Sequence, residues 1–188
     1  MSEPSPHPDE PTLHRPLQFR RATPADAAAL AALVNSAYRG DSSRAGWTTE
    51  ADLLGGQRTD REEIAQLLSA ADSILLICAE GKNLIGSAHL EKLDADTAYL
   101  GMLTITPPLQ GRGLGQQMMD EAERLARAEW HTRTMQMQVI ALRHELIAYY
   151  ERRGYRRTGE TRPFPDDPRY GLPKVANLSL DVLEKSLV

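Results

Sequence analysis

The spacing of apolar residues changes several times along the chain, and each change predicts a new element of secondary structure. Leu17 to Arg21 alternates weakly between apolar and polar residues, which predicts a first strand. A helix follows to Tyr38 and begins at Thr23-Pro24-Ala25-Asp26, where Thr is a favoured N-cap and Pro a favoured first helical residue. A second helix is predicted from Thr59 to Ala70, because its apolar residues share one face.

The middle of the chain predicts three consecutive strands. Ser73 to Glu80 is a nearly continuous apolar run, typical of a strand buried on both faces, and Gly81-Lys82-Asn83 has the composition of a tight hairpin turn. Leu84 to Lys92 is predicted to return beside it. Tyr99 to Thr106 is rich in β-branched and aromatic residues and stops at the pair Pro107-Pro108. We therefore expect an antiparallel group of strands in the centre of the fold.

The last part of the chain predicts two helices and three strands. A helix beginning near Leu114 has apolar residues at helical spacing on one face. The further predicted elements are a strand from Thr134 to Ile140, a helix from His144 to Arg153 that ends at Gly154, and an antiparallel pair formed by Tyr155 to Thr161 and Asn177 to Glu184. This order of elements predicts a mixed α/β sheet with helices on its faces.

Composition adds limits on the class of protein. With 188 residues the chain suits a single domain from residue 17 to 188, preceded by a Pro-rich and acidic leader at residues 1–16 that we expect to be disordered. The net charge of −4 and the pI near 5.8 argue against nucleic acid as a partner. The apolar runs are too short for a membrane span, and the single cysteine, Cys78, permits no disulfide within the chain. A cytoplasmic protein without a membrane partner is expected.

The segment Gln110 to Gly115 carries three glycines at alternate positions between a predicted strand and a predicted helix. Free backbone N–H groups and the positive end of the helix dipole favour an anionic group at such a turn. The segment is not a Walker loop, because no Gly-Lys-Ser or Gly-Lys-Thr follows, and Gln116 breaks the dinucleotide fingerprint. A phosphate site or an ordinary glycine-rich turn fits these six residues about equally well.

A second signature distinguishes these alternatives. Gln110, Gly113 and Gly115 match the pattern (Gln/Arg)-x-x-Gly-x-(Gly/Ala), and Tyr149-Tyr150-Glu151 followed by Gly154-Tyr155 forms a closing motif. Together they resemble the GNAT superfamily of acyl-CoA-dependent N-acetyltransferases, over roughly Leu17 to the C-terminus. The resemblance implies a central mixed, splayed β-sheet of about seven strands flanked by about four helices, with acetyl-CoA as co-substrate.

The resemblance also implies where the co-substrate binds. Backbone groups around Leu103 and Ile105 would hold the pantetheine arm and the acetyl group. The pyrophosphate would lie on the backbone amides of Gln110, Gly111, Arg112, Gly113, Leu114 and Gly115. The Arg112 side chain would assist there or remain a surface charge. Arg143 stands where many members have a cofactor-contacting asparagine, so its guanidinium would reach either a phosphate or a carboxylate of the acceptor.

Catalysis needs a proton donor for the departing thiolate and an acceptor for a proton of the amine. Tyr150 is predicted to be the general acid, because it shares the inward face of its helix with Leu146 and Ile147. Some relatives carry a glutamate on the central strand, where this chain has Tyr99. Glu91 on the neighbouring strand is one candidate base and a water relay is another.

We expect the acceptor site to lie between two long loops, residues 38–52 and 162–174. The predicted contacts with the acceptor are Tyr38, Trp47, Glu50 and Asp52. The favoured function is acetylation of a primary amine on a small molecule or amino-acid-like acceptor. The alternatives are a protein acetyltransferase acting on lysine or an N-terminus, and a non-catalytic acyl-CoA sensor. No residues have the spacing of a metal site, and the resemblance allows a homodimer.

Overall fold

The computed structural model describes residues 16–188, so the predicted leader lies outside the described residues except for Pro16. The strands are β1 (Leu17–Arg21), β2 (Leu54–Gly55), β3 (Ser73–Glu80), β4 (Asn83–Lys92), β5 (Thr97–Ile105), β6 (Thr134–Ile140), β7 (Arg156–Pro163), β8 (Leu172–Pro173) and β9 (Ser179–Ser186). The helices are α1 (Ala27–Tyr38), α2 (Gly40–Ser43), α3 (Arg61–Ser69), α4 (Leu114–Trp130) and α5 (His144–Glu151).

Seven strands form one mixed sheet in the order β1-β3-β4-β5-β6-β9-β7. All pairs are antiparallel except β5 with β6, which run parallel. Four of the helices have eight residues or more, and α2 is a single short turn. The predicted mixed α/β architecture is confirmed.

The sheet separates two hydrophobic clusters, and β3 contributes to both. Leu75 and Ile77 face the cluster that α1 and α3 cover, whereas Ile74, Leu76 and Cys78 face the cluster that α4 and α5 cover. This alternation explains the continuous apolar run of β3, because a central strand with helices on both faces has no solvent-facing side. No helix within residues 16–188 combines the length and the apolarity needed to cross a membrane.

The sheet opens between β5 and β6. These strands pair at only three positions, from Thr97 opposite Thr134 to Tyr99 opposite Gln136. Farther along, the register of β5 against β4 shifts between His89 and Ser87, and Met102 in β5 has a positive φ of 44°. Such a bulge bends a strand away from its regular path. The remaining half of β5 therefore leaves β6, and a gap forms in the centre of the sheet.

Two small features were not predicted in full. A two-stranded sheet joins β2 to β8, with Leu54 opposite Pro173. A helical turn precedes β2, in which the Glu50 carbonyl oxygen accepts hydrogen bonds of 2.9 Å from the N–H groups of Leu53 and Leu54. This turn brings β2 against the 162–174 loop.

Candidate functional site

Two clefts open where β5 and β6 part. The larger cleft has a volume of about 610 Å³ and extends over the glycine-rich loop, and the smaller cleft has a volume of about 180 Å³ and lies under the loops after α1 and β7. Leu103, Leu146 and Tyr150 line both clefts. These three residues therefore mark the junction of the two clefts.

The glycine-rich loop lies along the larger cleft, as the residues Gln110, Gly111, Gly113 and Gly115 line it. Gly111 and Gly113 have φ values of +80° and +79°, and a Cβ atom built on either would meet no atom within 4 Å. Gly113 is the N-cap of α4, so the first N–H groups of that helix lie next to the open loop. The bare backbone and the helix dipole suit an oxyanion.

The Gln110 side chain fixes this loop to a neighbouring segment. Its Nε2 donates to the Thr48 hydroxyl and to the Ile105 carbonyl oxygen, both at 2.9 Å, and its Oε1 accepts from the Trp47 N–H at 2.9 Å. A Cβ atom on Gly46 would lie 2.6 Å from Gln110 Oε1, so only glycine lets the backbone at residue 46 approach the Gln110 side chain this closely. Gln110 therefore shapes the cleft through its side chain.

Arg143 holds the same segment from the other side. Its guanidinium donates to the carbonyl oxygens of Trp47 and Thr49 at 2.9 Å and of Thr48 at 3.1 Å. The side chain lines neither cleft among the described residues, because these three carbonyls occupy its donors. This position favours support of the 47–49 segment over the phosphate and carboxylate contacts that the resemblance implied.

Part of the larger cleft is lined by residues in and just after α5, to which the sequence assigned no binding role. Tyr149 packs against Trp47 with ring centroids 5.1 Å apart, and the Arg153 guanidinium carbon lies 3.4 Å from the Tyr149 ring centroid. Arg152 and Arg153 both line the larger cleft. The two consecutive arginines inside the closing motif could have indicated this part of the site in the sequence, since cations suit a phosphate-bearing ligand.

Tyr150 lies at the junction and is 7% exposed. Its hydroxyl forms no hydrogen bond within residues 16–188, whereas the hydroxyls of Tyr38 and Tyr155 donate to the Leu103 carbonyl oxygen and to Glu123. Burial, followed by the influence of Tyr38, raises the pKa of Tyr150 well above its ordinary value. The phenol therefore stays protonated at neutral pH with its donor unused.

The smaller cleft brings together the two loops expected to form the acceptor site. Tyr38 and Glu50 come from the segment around and after the end of α1, and Phe164, Pro165 and Tyr170 come from the loop after β7. Glu50 forms an ion pair with Arg39, whose side chain is 4% exposed and also donates to the Tyr170 carbonyl oxygen at 3.0 Å. Burial, followed by the Glu50 charge, raises the pKa of Tyr38 to about 12.

Several predicted site residues lie elsewhere. Glu91 is exposed near the end of β4, opposite Tyr99, and lines neither cleft. Asp52 is exposed and forms an ion pair of 2.8 Å with Arg44. Trp47 lines the larger cleft rather than the smaller one. Arg112 is exposed outside both clefts, and the Leu114 side chain is buried in the core.

His89 is buried beside the smaller cleft rather than in it. Its Nε2 lies 3.0 Å from the Ser73 hydroxyl, and its ring meets the edge of Tyr99 at a centroid distance of 6.4 Å. Burial and the nearby Arg58 charge lower the pKa of His89 to about 4. A histidine kept neutral in this way favours a structural role. Among the described residues, no group of three or more His, Cys, Asp or Glu side chains is arranged to hold a metal ion.

Comparison with known proteins places this arrangement in a family. The model of the Acetyltransferase (GNAT) family matches residues 30–155. Comparison with curated proteins finds no match.

Similar solved structures share the fold. YncA of Salmonella typhimurium, solved with its cofactor acetyl-CoA, has a TM-score of 0.66 at 18% identity, covering 92% of this chain and 94% of that one. The ribosomal-protein-alanine N-acetyltransferase of Brucella melitensis has a TM-score of 0.65 at 20% identity, covering 90% and 99%. The spermidine/spermine N-acetyltransferase SpeG of Vibrio cholerae has a TM-score of 0.64 at 14% identity, covering 91% and 92%.

Proposed function

The chain belongs to the GNAT acetyltransferase family, whose co-substrate is acetyl-CoA, and on that premise we propose that it acetylates the primary amine of a small molecule by direct transfer in a ternary complex. The observation that carries this proposal is the position of Tyr150. Its free hydroxyl lies at the junction of two clefts, one suited to each substrate. Such a junction favours direct transfer over a covalent acyl-enzyme.

The larger cleft is the proposed site for acetyl-CoA. The bare glycine loop and the N-terminus of α4 would receive the pyrophosphate, and Arg152 and Arg153 add positive charge to the lining of the same cleft. The pantetheine arm would follow the edge of β5 that β6 leaves free, where Leu103 and Ile105 line the cleft. Its thioester would then lie at the junction beside Tyr150.

The proposed reaction has two proton transfers. The acceptor amine arrives as an ammonium ion and loses one proton, and its nitrogen lone pair then attacks the thioester carbonyl carbon. The C–N bond forms, the C–S bond breaks with its electron pair on sulfur, and the nitrogen loses a second proton. Tyr150 donates its phenolic proton to the thiolate and regains one from solvent. The products are the N-acetyl amine, coenzyme A and one net proton.

Glu50 is the better placed of the two carboxylates for the amine end. It is the only Asp or Glu among the described residues that line the smaller cleft, whereas Glu91 lines neither cleft. Its backbone N–H donates to the Tyr38 carbonyl oxygen at 3.0 Å, and the Tyr38 hydroxyl donates to the carbonyl oxygen of the junction residue Leu103 at 2.6 Å, which supports a position close to the junction. A carboxylate there would attract the ammonium ion and accept its first proton, directly or through water.

The dimensions of the smaller cleft favour a small acceptor. Its volume of about 180 Å³ is enclosed by two loops that Arg39 ties together, through Glu50 on one side and the Tyr170 carbonyl oxygen on the other. A folded protein surface would need a wider opening to bring a lysine to the junction.

The test measures thiol release from acetyl-CoA with a panel of small amines and, in parallel, with lysine-bearing and N-terminal peptides. Turnover with small amines, and slower turnover with every peptide, is the expected result. Turnover with peptides and with none of the small amines would show that the acceptor is a protein. Acetyl-CoA binding without turnover on any acceptor would indicate a sensor.

A further inference from the structure

One cation in the smaller cleft has no ion-pair partner. Arg58 lines this cleft and is half-buried, yet its guanidinium forms no salt bridge or hydrogen bond with any residue in the range 16–188. The other arginine in the cleft, Arg39, is occupied by Glu50 and by the Tyr38 and Tyr170 carbonyl oxygens. Because Arg39 and Glu50 balance each other, the described lining carries one uncompensated positive charge at Arg58.

The backbone that carries Arg58 is firmly held. The Asn35 side chain on α1 accepts hydrogen bonds from the N–H groups of Arg58 at 2.6 Å and Thr59 at 3.3 Å, and it donates to the Thr59 carbonyl oxygen at 2.8 Å. Thr59 itself is 1% exposed. A side chain that starts from a fixed backbone loses less conformational freedom when it binds a ligand.

Among the described residues that line it, the smaller cleft holds one carboxylate, Glu50, and one cation without an ion pair, Arg58. Glu50 donates its backbone N–H to the Tyr38 carbonyl oxygen at 3.0 Å, and the Tyr38 hydroxyl donates to the carbonyl oxygen of the junction residue Leu103 at 2.6 Å. A ligand that carries both an ammonium group and an anionic group would therefore meet a side chain of opposite charge for each group in this one cleft.

We propose that the acceptor is an amine that also carries a carboxylate, and that Arg58 binds this carboxylate while Glu50 and Tyr150 face the amine. This inference rests on the proposed function and names the chemical class of its acceptor. The planar guanidinium presents paired N–H donors that match a carboxylate, and a half-buried cation gains most from an anionic partner. An amino acid or a similar zwitterion carries both of the groups that these side chains would bind.

The test uses matched pairs of acceptors that differ only in the carboxylate: tyrosine with tyramine, histidine with histamine, and methionine with 3-(methylthio)propylamine. The wild-type enzyme should have a higher kcat/KM for the acid of at least one pair, by about ten- to a hundredfold, the usual range for charge-assisted hydrogen bonds. Arg58→Gln should remove this preference by lowering the kcat/KM of the acid, without a matching fall for the decarboxylated amine, and the KM of acetyl-CoA should stay the same. Arg58→Lys keeps the positive charge but not the paired N–H donors of the guanidinium, so this variant should lose part of the preference for the acid.

Arg61→Gln is the matched control, because Arg61 is exposed at the start of α3, lines neither cleft and carries the same charge. It should leave both kcat/KM values unchanged. The inference is overturned if the decarboxylated amines are preferred throughout, or if Arg58→Gln lowers kcat/KM equally for both members of a pair.

Failure of the proposed function would give a different result. If no acceptor is acetylated, calorimetry measures whether each acid binds to the coenzyme A complex, and this tests the carboxylate site separately from acetyl transfer. Binding of an acid to the wild type and not to Arg58→Gln would retain the carboxylate site and reject acetyl transfer to these amines. Absence of binding to both would overturn the carboxylate site as well.

Discussion

Arg143 donates a hydrogen bond of 2.9 Å to the carbonyl oxygen of Trp47 and thereby joins the start of α5 to the wall of the larger cleft. Gln110 binds the N–H of the same residue from the glycine loop at 2.9 Å. Two residues that the family resemblance assigned to the co-substrate thus hold a protein segment in place. Because Arg143 lines neither cleft, its effect on acetyl-CoA would be indirect, through the position of Trp47 and Thr48.

Arg143→Gln should loosen this segment, because the shorter side chain cannot reach the three carbonyl oxygens that the guanidinium binds. We expect the free energy of unfolding to fall by about 2 kcal/mol, the scale of charge-assisted hydrogen bonds. The KM of acetyl-CoA should rise, and acrylamide should quench Trp47 more strongly in a Trp130→Phe background. Arg124→Gln, which breaks an exposed ion pair with Glu121, is the control. Unchanged quenching and KM would show that Arg143 does not support the segment.

Gly115→Ala tests the approach of Tyr149 to the glycine loop. The new methyl group would lie 2.7 Å from the Tyr149 hydroxyl, so the ring must move, while α4 itself gains a better helix former. We expect the KM of acetyl-CoA to rise with the fold intact. The double variant Gly115→Ala/Tyr149→Phe should recover most of the loss, because the ring carbon below the hydroxyl is 3.8 Å from the methyl position. A double variant no better than Gly115→Ala would place the cause elsewhere.

The sequence predicted the regular elements well, since their signals are local. The bounds of β1, β3 and β6 agree with the predicted strands, and Leu114 and Met118 lie on the buried face of α4 as expected. Periodicity reports which side of an element is buried, so long and regular segments are the easiest to predict.

The site was only partly predictable, because it depends on contacts between distant segments. Nothing near Arg143 in the chain indicates that its guanidinium binds carbonyl oxygens more than ninety residues away. The bulge at Met102, which opens the sheet, has no glycine to mark its positive φ. Arg58 was overlooked because a cation in a loop is usually solvated, and only the fold shows that it lines a cleft.

The two candidate bases can be separated by matched substitutions. Glu50→Gln should lower kcat by about a hundredfold or more, the usual contribution of general base catalysis, whereas Glu91→Gln should leave it nearly unchanged. Because Glu50 pairs with the buried Arg39, the melting temperature of each variant must be measured, and kcat compared where both are folded. A large fall in kcat for Glu91→Gln, with none for Glu50→Gln, would show that Glu91 on β4 is the base.

His89 should make the stability of the protein depend on pH. Its pKa is lowered from 6.5 to about 4, so the unfolded chain binds more protons between these values and stability rises with pH across this window. Stability should be complete above pH 6.5, and about 3 kcal/mol of it should be lost as the pH falls to 4. His89→Gln should flatten the slope of the free energy of unfolding between pH 5 and 6.5, above the range of ordinary carboxyl groups. An unchanged slope would show that His89 is not held neutral.

Tyr150→Phe tests the central claim most directly. The change removes a hydroxyl that has no hydrogen-bond partner among the described residues, so the melting temperature should stay close to the wild-type value. In single-turnover experiments with saturating acceptor, acetyl transfer should slow by about a hundredfold or more. The affinity for acetyl-CoA should remain unchanged, and Tyr149→Phe should slow transfer far less. A Tyr150→Phe enzyme that transfers acetyl at the wild-type single-turnover rate would contradict the role of this phenol as the general acid.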